Sequence, residues 1–220
     1  MSRELTGPAV RAWLQRFIDV VHQERAALAE LDRRAGDGDF ATNLASALRQ
    51  ATRRVSAGPS DSASAVFARV SEGFLDTGGT SGPLFGMWFR ELAKAMAENM
   101  AENMAENMAE GADAAALAAG VAAGVATVQR LGQAQVGDKT MVDAMLPAAE
   151  AMTGRDLDAD LAAAARAART GAVSTEALRA RRGRASYLGE VAVGVLDPGA
   201  VTVALFFECG CAPAPGPETL

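Results

Sequence analysis

Apolar residues recur every three or four positions along most of this chain. In the first segment they fall at Val10, Trp13, Leu14, Phe17 and Val20, which places them on one face of a helix. Half of the sequence is hydrophobic while only 5% is aromatic, and much of the apolar fraction is alanine. Because alanine favours helices and is depleted in strands, we predict an all-α fold of closely packed helices.

Breaks in this spacing predict eight or nine helices. The first predicted helix includes Leu31, the second runs from about Ala41 to Ser56, the third contains Phe67 and Phe74, and the fourth has Pro83 in its first turn. Further helices are predicted at about 113–131, 141–152, 157–170 and 174–181. A last segment, Val201 to Phe207, has strand propensity but no strand to pair with. We therefore predict a helix there, capped by Asp197.

We expect residues 1–211 to form one domain, followed by a proline-rich, disordered tail at 212–220. Within the domain, a Met-Ala-Glu-Asn repeat occupies residues 96–111. Its four-residue period separates methionines from glutamates, and the glutamates repel one another at i, i+4. The repeat therefore predicts an exposed extension of a helix, and the alternative is a methionine stripe that binds a partner.

The charge balance restricts the partners. A formal net charge of −6 argues against nucleic acid and anionic membrane, so an anionic ligand needs metal ions or local arginines. The two cysteines, Cys209 and Cys211, neither imply a disulfide framework nor complete a zinc site. The N-terminus lacks the apolar core of a signal peptide, and we expect no membrane span, so we predict a cytoplasmic protein.

Three acidic residues, Asp32, Asp37 and Asp39, crowd one glycine-containing turn. Mg²⁺ takes carboxylate oxygens and leaves positions open for phosphate oxygens, so a turn that folds back could hold one or two ions. The alternative is that Asp37 and Asp39 only form Asx-turns and cap the next helix.

Three further loops suit phosphate. The loop 78–83 offers backbone N–H groups, two hydroxyls and a helix N-terminus. In the loop 137–143, Asp138 can cap a helix while Lys139 or Thr140 reaches a ligand. The loop 181–190 carries three arginines that could neutralise phosphate. Taken singly, each loop could equally be an ordinary solvated turn.

Together, the four motifs resemble those of the nucleotide-binding L subunit of dihydroxyacetone kinase and of the homologous C-terminal domain of single-chain kinases. The resemblance runs from about Trp13 to Phe207. It rests on Leu31-Asp32, Gly36-Asp37-Gly38-Asp39 and Thr42-Asn43, on Gly79-Thr80-Ser81-Gly82-Pro83-Leu84-Phe85-Gly86, on Gly137-Asp138-Lys139-Thr140-Met141-Val142-Asp143, and on Gly183-Arg184-Ala185-Ser186-Tyr187-Leu188-Gly189-Glu190 with Asp197-Pro198-Gly199-Ala200.

The resemblance implies an eight-helix antiparallel barrel with the nucleotide, ADP or ATP, at one end. It also implies two Mg²⁺ ions held by Asp32, Asp37 and Asp39. The nucleotide-binding positions that it implies are Phe40, Ala41, Thr42, Asn43, Thr80, Ser81, Gly132, Met141, Arg182, Asp197, Pro198 and Gly199, with Arg184 as a neighbour. No catalytic side chain is implied, since phosphoryl transfer depends on position and charge.

The family's mechanism implies two partners. A K subunit holds the ketone substrate as a covalent adduct, and in the phosphotransferase-system version an M subunit rephosphorylates bound ADP from a phosphohistidine. The length of the chain favours that version over exchange of free ATP. The oligomeric state stays open, with a homodimer as one option.

Three polar groups of the family pattern are missing from this chain. Phe40 replaces a usual histidine, and Val191 and Val195 replace a usual arginine and histidine. These losses leave a catalytically impaired nucleotide-binding or regulatory protein as an alternative to the kinase subunit. A kinase for a related acyl or sugar substrate is a further alternative, because in this family the substrate is bound by another subunit.

Overall fold

The computed structural model describes residues 4–58, 62–105, 111–187 and 189–211. Within these ranges it consists of α-helices and 3₁₀ turns joined by loops, and the only β-type pairing is a single bridge between Leu5 and Ala112. The α-helices are α1 (Gly7–Gln23), α2 (Arg25–Ala35), α3 (Phe40–Ser56), α4 (Ala63–Leu75), α5 (Ser81–Ala105), α6 (Ala114–Gly132), α7 (Val142–Glu150), α8 (Leu157–Ser174) and α9 (Pro198–Gly210). The predicted all-α class is confirmed.

The long helices form the wall of an antiparallel barrel. From α3 to α8 each helix packs against the next in the chain, and α9 then packs against α8. Helix α1 closes the ring because it contacts both α9 and α4, while α2 lies against the start of α3. Most connections between successive helices are short, so neighbouring walls run in opposite directions. The exception is the connection from α8 to α9, residues 175–197, which contains 3₁₀ turns at Thr175–Ala177, Arg184–Tyr187 and Gly189–Ala192. The expected barrel architecture is thus confirmed.

Side-chain caps set where several helices begin. Thr6, Ser62, Asp113, Asp156 and Asp197 each accept a hydrogen bond from the backbone N–H three residues ahead. These bonds satisfy N–H groups that have no partner inside the helix. Asp197 therefore caps α9, as predicted, and the segment that has strand propensity is helical.

An aromatic cluster fills the centre of the barrel. Phe206 of α9 stacks on Trp13 with ring centroids 4.5 Å apart and meets Trp88 edge-on at 5.1 Å. It also packs against Phe17 of α1 and Phe89 of α5. The indole N–H of Trp13 donates to the backbone oxygen of Phe206 at 2.6 Å. One side chain thereby joins three walls of the barrel.

Helix α6 is the one described helix that is long and apolar enough to cross a membrane, judged by length and composition alone. From the sequence we expected no segment able to span a membrane. In the barrel, Leu117, Val121 and Val125 of this helix are buried, and α6 packs against α5 and α7. Burial in a protein core accounts for its apolar composition.

Two predicted helix boundaries are wrong. The first predicted helix divides at Glu24, because α1 packs on α4 and α9 while α2 turns away toward α3. The predicted helix at 174–181 is also absent: a 3₁₀ turn at Thr175–Ala177 is followed by extended backbone at Leu178. The hydroxyls of Ser174 and Thr175 bond to carbonyls of the preceding turn, which ends the helix.

The described part of the Met-Ala-Glu-Asn repeat continues α5 as far as Ala105. Its asparagines make the polar contacts: Asn99 exchanges hydrogen bonds with Asp113, and Asn103 donates to the carbonyl of Gly111. Met96, the first methionine of the repeat, is buried in the core. The rest of the repeat, 106–110, and the predicted disordered tail lie outside the described residues.

Candidate nucleotide and metal site

The four motifs meet around one cavity at an end of the barrel. Most predicted site residues line this cavity: Asp32, Asp37, Phe40, Thr80, Ser81, Gly132, Met141, Arg182, Asp197, Pro198 and Gly199. Asn43 lines a smaller adjoining cavity, which Phe40, Ser81 and Arg184 share. Ala41, Thr42 and Asp39 line neither cavity. Residues more than 150 positions apart in the chain are therefore brought into one site.

The acidic turn is folded around Asp32, in the last turns of α2. Its Oδ2 accepts a hydrogen bond from the backbone N–H of Phe40 at 2.8 Å, which ties α2 to the start of α3. A Cβ at Gly36 would lie 2.1 Å from Oδ1 of Asp32, so any other residue there would force the Asp32 carboxylate to shift. Burial raises the pKa of Asp32, and the negative charge of Asp37 adds to this shift. A nearby cation would stabilise the carboxylate form.

Arg184 joins the other two aspartates of the turn. Its Nη1 forms an ion pair with Oδ2 of Asp37 and lies 3.3 Å from Oδ2 of Asp39. Oxygens from two carboxylates thus converge on one positively charged atom. Among the described residues, no three acidic, histidine or cysteine side chains form a ready metal-binding group. Mg²⁺ commonly uses only one or two carboxylates together with phosphate oxygens, and this pair fits that requirement.

The second loop lies against the first and the fourth. Gly79 has φ of +90°, and a Cβ there would lie 2.7 Å from Nδ2 of Asn43 and 3.8 Å from Nη2 of Arg184. This close approach requires glycine. It directs Thr80 and Ser81 to the cavity, at the N-terminus of α5. Free N–H groups at a helix N-terminus favour anions.

The third loop is held by Asp143, not by Asp138 as a helix cap. Asp143 is fully buried and accepts hydrogen bonds from the N–H groups of Gly137 and Thr140 at 2.6 and 2.7 Å. Asp138 instead accepts from the N–H of Gln135 at 3.0 Å. The predicted cap is therefore wrong, because the carboxylate turns back into its own loop.

Lys139 connects the third loop to the fourth. It is buried and adopts a left-handed φ of 61°. Its ammonium donates to the carbonyl of Thr175 at 2.5 Å and to that of Val195. Burial lowers the pKa of Lys139, while Asp197 and other carboxylates nearby oppose that shift. Lys139 lines the cavity, but its ammonium is hydrogen-bonded to backbone oxygens.

Two features of the cavity were not identified from the sequence. One is that Arg184 is the arginine that contacts the acidic turn, whereas Arg182 lies 3.4 Å from Asp138. The other is an apolar wall formed by Leu84, Val128 and Ala134. Val128 precedes Gly132 by one helical turn and lies on the same face of α6, so the helical spacing could have indicated this part of the wall.

The departures from the family pattern affect the cavity unequally. Phe40 lines it and is 8% exposed, so an aromatic face replaces a polar group there. Val191 is 71% exposed, and Val195 is buried in a small apolar cluster with Ala35, Ala180 and Ala192. Neither valine is among the residues that line the cavity. The departure at Phe40 therefore lies in the described lining, whereas the two valines lie outside it.

The pKa of Asp197 is raised to about 7, chiefly because burial disfavours its carboxylate. The unfolded chain releases this proton near the ordinary value of 3.8. Between these two values the unfolded state binds fewer protons, so the free energy of unfolding falls as pH rises. The contribution of this group falls by at most about 4 kcal/mol and levels off once the pH has passed the pKa of about 7 in the folded state.

Asp197→Asn should remove that slope, because asparagine also caps helices but carries no charge. Urea unfolding of both proteins at several pH values between 4 and 8 would measure it. The variant is expected to gain stability relative to the wild type as pH rises, and parallel profiles would contradict the assignment.

Fold and site together define a helical barrel with a cavity lined by carboxylates and arginines at one end. The DAK2 domain family matches residues 34–212, and the chain belongs to this family.

Two relatives and one solved structure illustrate the likeness. The chain is 33% identical over 197 residues to the ADP-binding subunit DhaL of PEP-dependent dihydroxyacetone kinase 1 from Listeria innocua, covering 89% of this chain and 91% of that protein. It is 34% identical over 213 residues to L-erythrulose 1-kinase from Mycolicibacterium smegmatis, covering 94% of this chain and 35% of that protein.

The solved structure is that of dihydroxyacetone kinase from C. freundii in complex with AMP-PNP and Mg²⁺. The match has a TM-score of 0.68 at 24% identity and covers 96% of this chain and 35% of that chain. At this identity the likeness shows a shared fold.

Proposed function

We propose that this chain is the ADP- or ATP-binding subunit of a cytoplasmic dihydroxyacetone-type kinase. The observation that carries the proposal is the convergence of Asp32, Asp37 and Arg184 with the N-terminus of α5 around one cavity. The relative from Listeria innocua, an ADP-binding subunit aligned over nearly its whole length, supports the same function.

Different residues of the site would bind the metal, the phosphates and the adenine. Asp37 and Asp39, with Asp32 behind them, would hold Mg²⁺, which neutralises charge on the phosphates when bound. Thr80 and Ser81 would donate to phosphate oxygens. The adenine would lie against the apolar wall near Gly132 and Met141, where a flat ring can be buried.

No part of this role requires the chain to bind the ketone substrate itself. We therefore infer a K-type partner that brings the substrate hydroxyl to the cavity, and an M-type partner if ADP is rephosphorylated in place. The described loop beside the cavity exposes three apolar side chains, Tyr187, Val191 and Val193. Exposed apolar groups at the mouth of a site suit contact with another protein.

The nucleotide can be identified directly from purified protein. We expect ADP, detected by absorbance and mass, to remain bound through purification if a partner rephosphorylates it in place. A protein that elutes without nucleotide but binds added ATP with Mg²⁺ would indicate free exchange. Failure to bind either nucleotide with Mg²⁺ would contradict the proposed function.

A regulatory, catalytically impaired protein is the second candidate, favoured by the aromatic Phe40 in the cavity wall. Mixing the chain with a K subunit, dihydroxyacetone or L-erythrulose and a phosphoryl donor separates the two. Turnover with either ketone supports the kinase subunit and reports its substrate class. Bound nucleotide without turnover supports the regulatory role.

A further inference from the structure

Arg184 occupies the place among the aspartates where a cation would bind. Its Nη1 contacts Oδ2 of Asp37 and lies 3.3 Å from Oδ2 of Asp39. The three side chains are partly open to solvent, with exposed fractions of 38% for Arg184, 34% for Asp37 and 65% for Asp39. The ion pairs are therefore accessible to a competing ion and weak enough to exchange.

The backbone beside Arg184 is suited to let the guanidinium turn. The preceding Gly183 has φ of +61°, and a Cβ at this position would meet no atom within 4 Å. The next residue, Ala185, is only partly buried and packs at the edge of the small cluster around Ala35 and Ala192. Little apolar surface thus holds this turn in place, and the ion pairs are its main polar tie to the acidic turn.

We propose that Arg184 is an internal competitor for the metal: it pairs with Asp37 and Asp39 until a divalent cation takes their oxygens and releases it. The proposal rests on the proposed function. A metal ion and a guanidinium on the same oxygens would repel strongly at contact distance. In its paired position Arg184 already lies beside Gly79 at the start of the phosphate loop, since a Cβ at Gly79 would be 3.8 Å from its Nη2. Once released, the guanidinium can therefore pair with a phosphate held there.

This exchange makes metal and nucleotide binding mutually supportive. Metal alone must displace the arginine without compensation, whereas metal with nucleotide gives the arginine a new anionic partner. Removing the arginine should therefore have opposite effects on the two ligands. A side chain that only supports the loop would weaken both or change neither.

A calorimetric titration with Mn²⁺ alone tests the first effect. We expect Arg184→Met to bind Mn²⁺ roughly 3- to 10-fold more tightly than the wild type, the gain from removing partly exposed ion pairs. Arg179→Met is the matched control. It removes the same charge from an exposed arginine of the same connection that pairs with Glu190 and lines neither cavity, and it should change the affinity less than about 2-fold.

Titration of ADP at saturating Mn²⁺ tests the second effect, and here Arg184→Met should bind about 10-fold more weakly. Arg184→Lys keeps the charge and should lie between the wild type and Arg184→Met in both titrations. Thermal unfolding of each variant verifies that it is folded.

An Mn²⁺ affinity of Arg184→Met equal to that of Arg179→Met would overturn the competition, as would the absence of any Mn²⁺ binding by both variants. The proposed function fails separately, if neither the wild type nor a variant binds ADP with Mn²⁺.

Discussion

Asp37→Asn is expected to reduce Mg²⁺-dependent nucleotide binding by roughly 100- to 1000-fold, because one full charge next to the ion is worth about 4 kcal/mol at an intermediate dielectric. Asparagine keeps the shape of the side chain and removes its charge, so the turn itself should persist. Calorimetric titration with ADP at fixed Mg²⁺ measures the loss, and turnover with partner subunits should disappear with it. Asp39→Ala is expected to act in the same direction.

Asp19→Asn provides the control for this change. Asp19 lies on the exposed face of α1, where it accepts a hydrogen bond from Gln15 at 2.9 Å. The variant changes the net charge by the same amount and should bind nucleotide as the wild type does. Nucleotide affinity that is equal in Asp37→Asn and Asp19→Asn would remove the acidic turn from the site.

The sequence indicated the loops that form the site and most of the residues that line it, but not which arginine contacts the acidic turn. Arg182 and Arg184 are two residues apart in the same loop, and residue type cannot distinguish them. The left-handed turn at Gly183 decides the outcome, since it directs Arg184 to the acidic turn and leaves Arg182 beside Asp138. Likewise, Lys139 was expected to reach a ligand, but its buried ammonium donates to two backbone carbonyls.

For the fold, helical spacing was sufficient wherever a helix buries one continuous face. It failed at Glu24, because α1 and α2 both keep the spacing while they pack against different neighbours. It failed again beyond Ser174, where side-chain hydroxyls end a helix that composition would continue. Such boundaries depend on tertiary contacts, which a local pattern does not contain.

Phe206→Ala should lower the free energy of unfolding by about 3–5 kcal/mol, the usual cost of removing a buried aromatic ring from a core. Phe206 is 2% exposed and packs against rings of α1 and α5. The cavity left behind would therefore separate three walls of the barrel, which limits how far they can close around it.

Urea unfolding followed by tryptophan fluorescence measures this loss, since Trp13 and Trp88 both contact the removed ring. Tyr187→Ala is the control, because this aromatic side chain is 89% exposed and its loss should cost less than about 0.5 kcal/mol. A small effect at Phe206 would mean that the barrel centre collapses readily around the gap. The walls would then be held by the close contacts between neighbouring helices, and the aromatic cluster would not be what closes the ring.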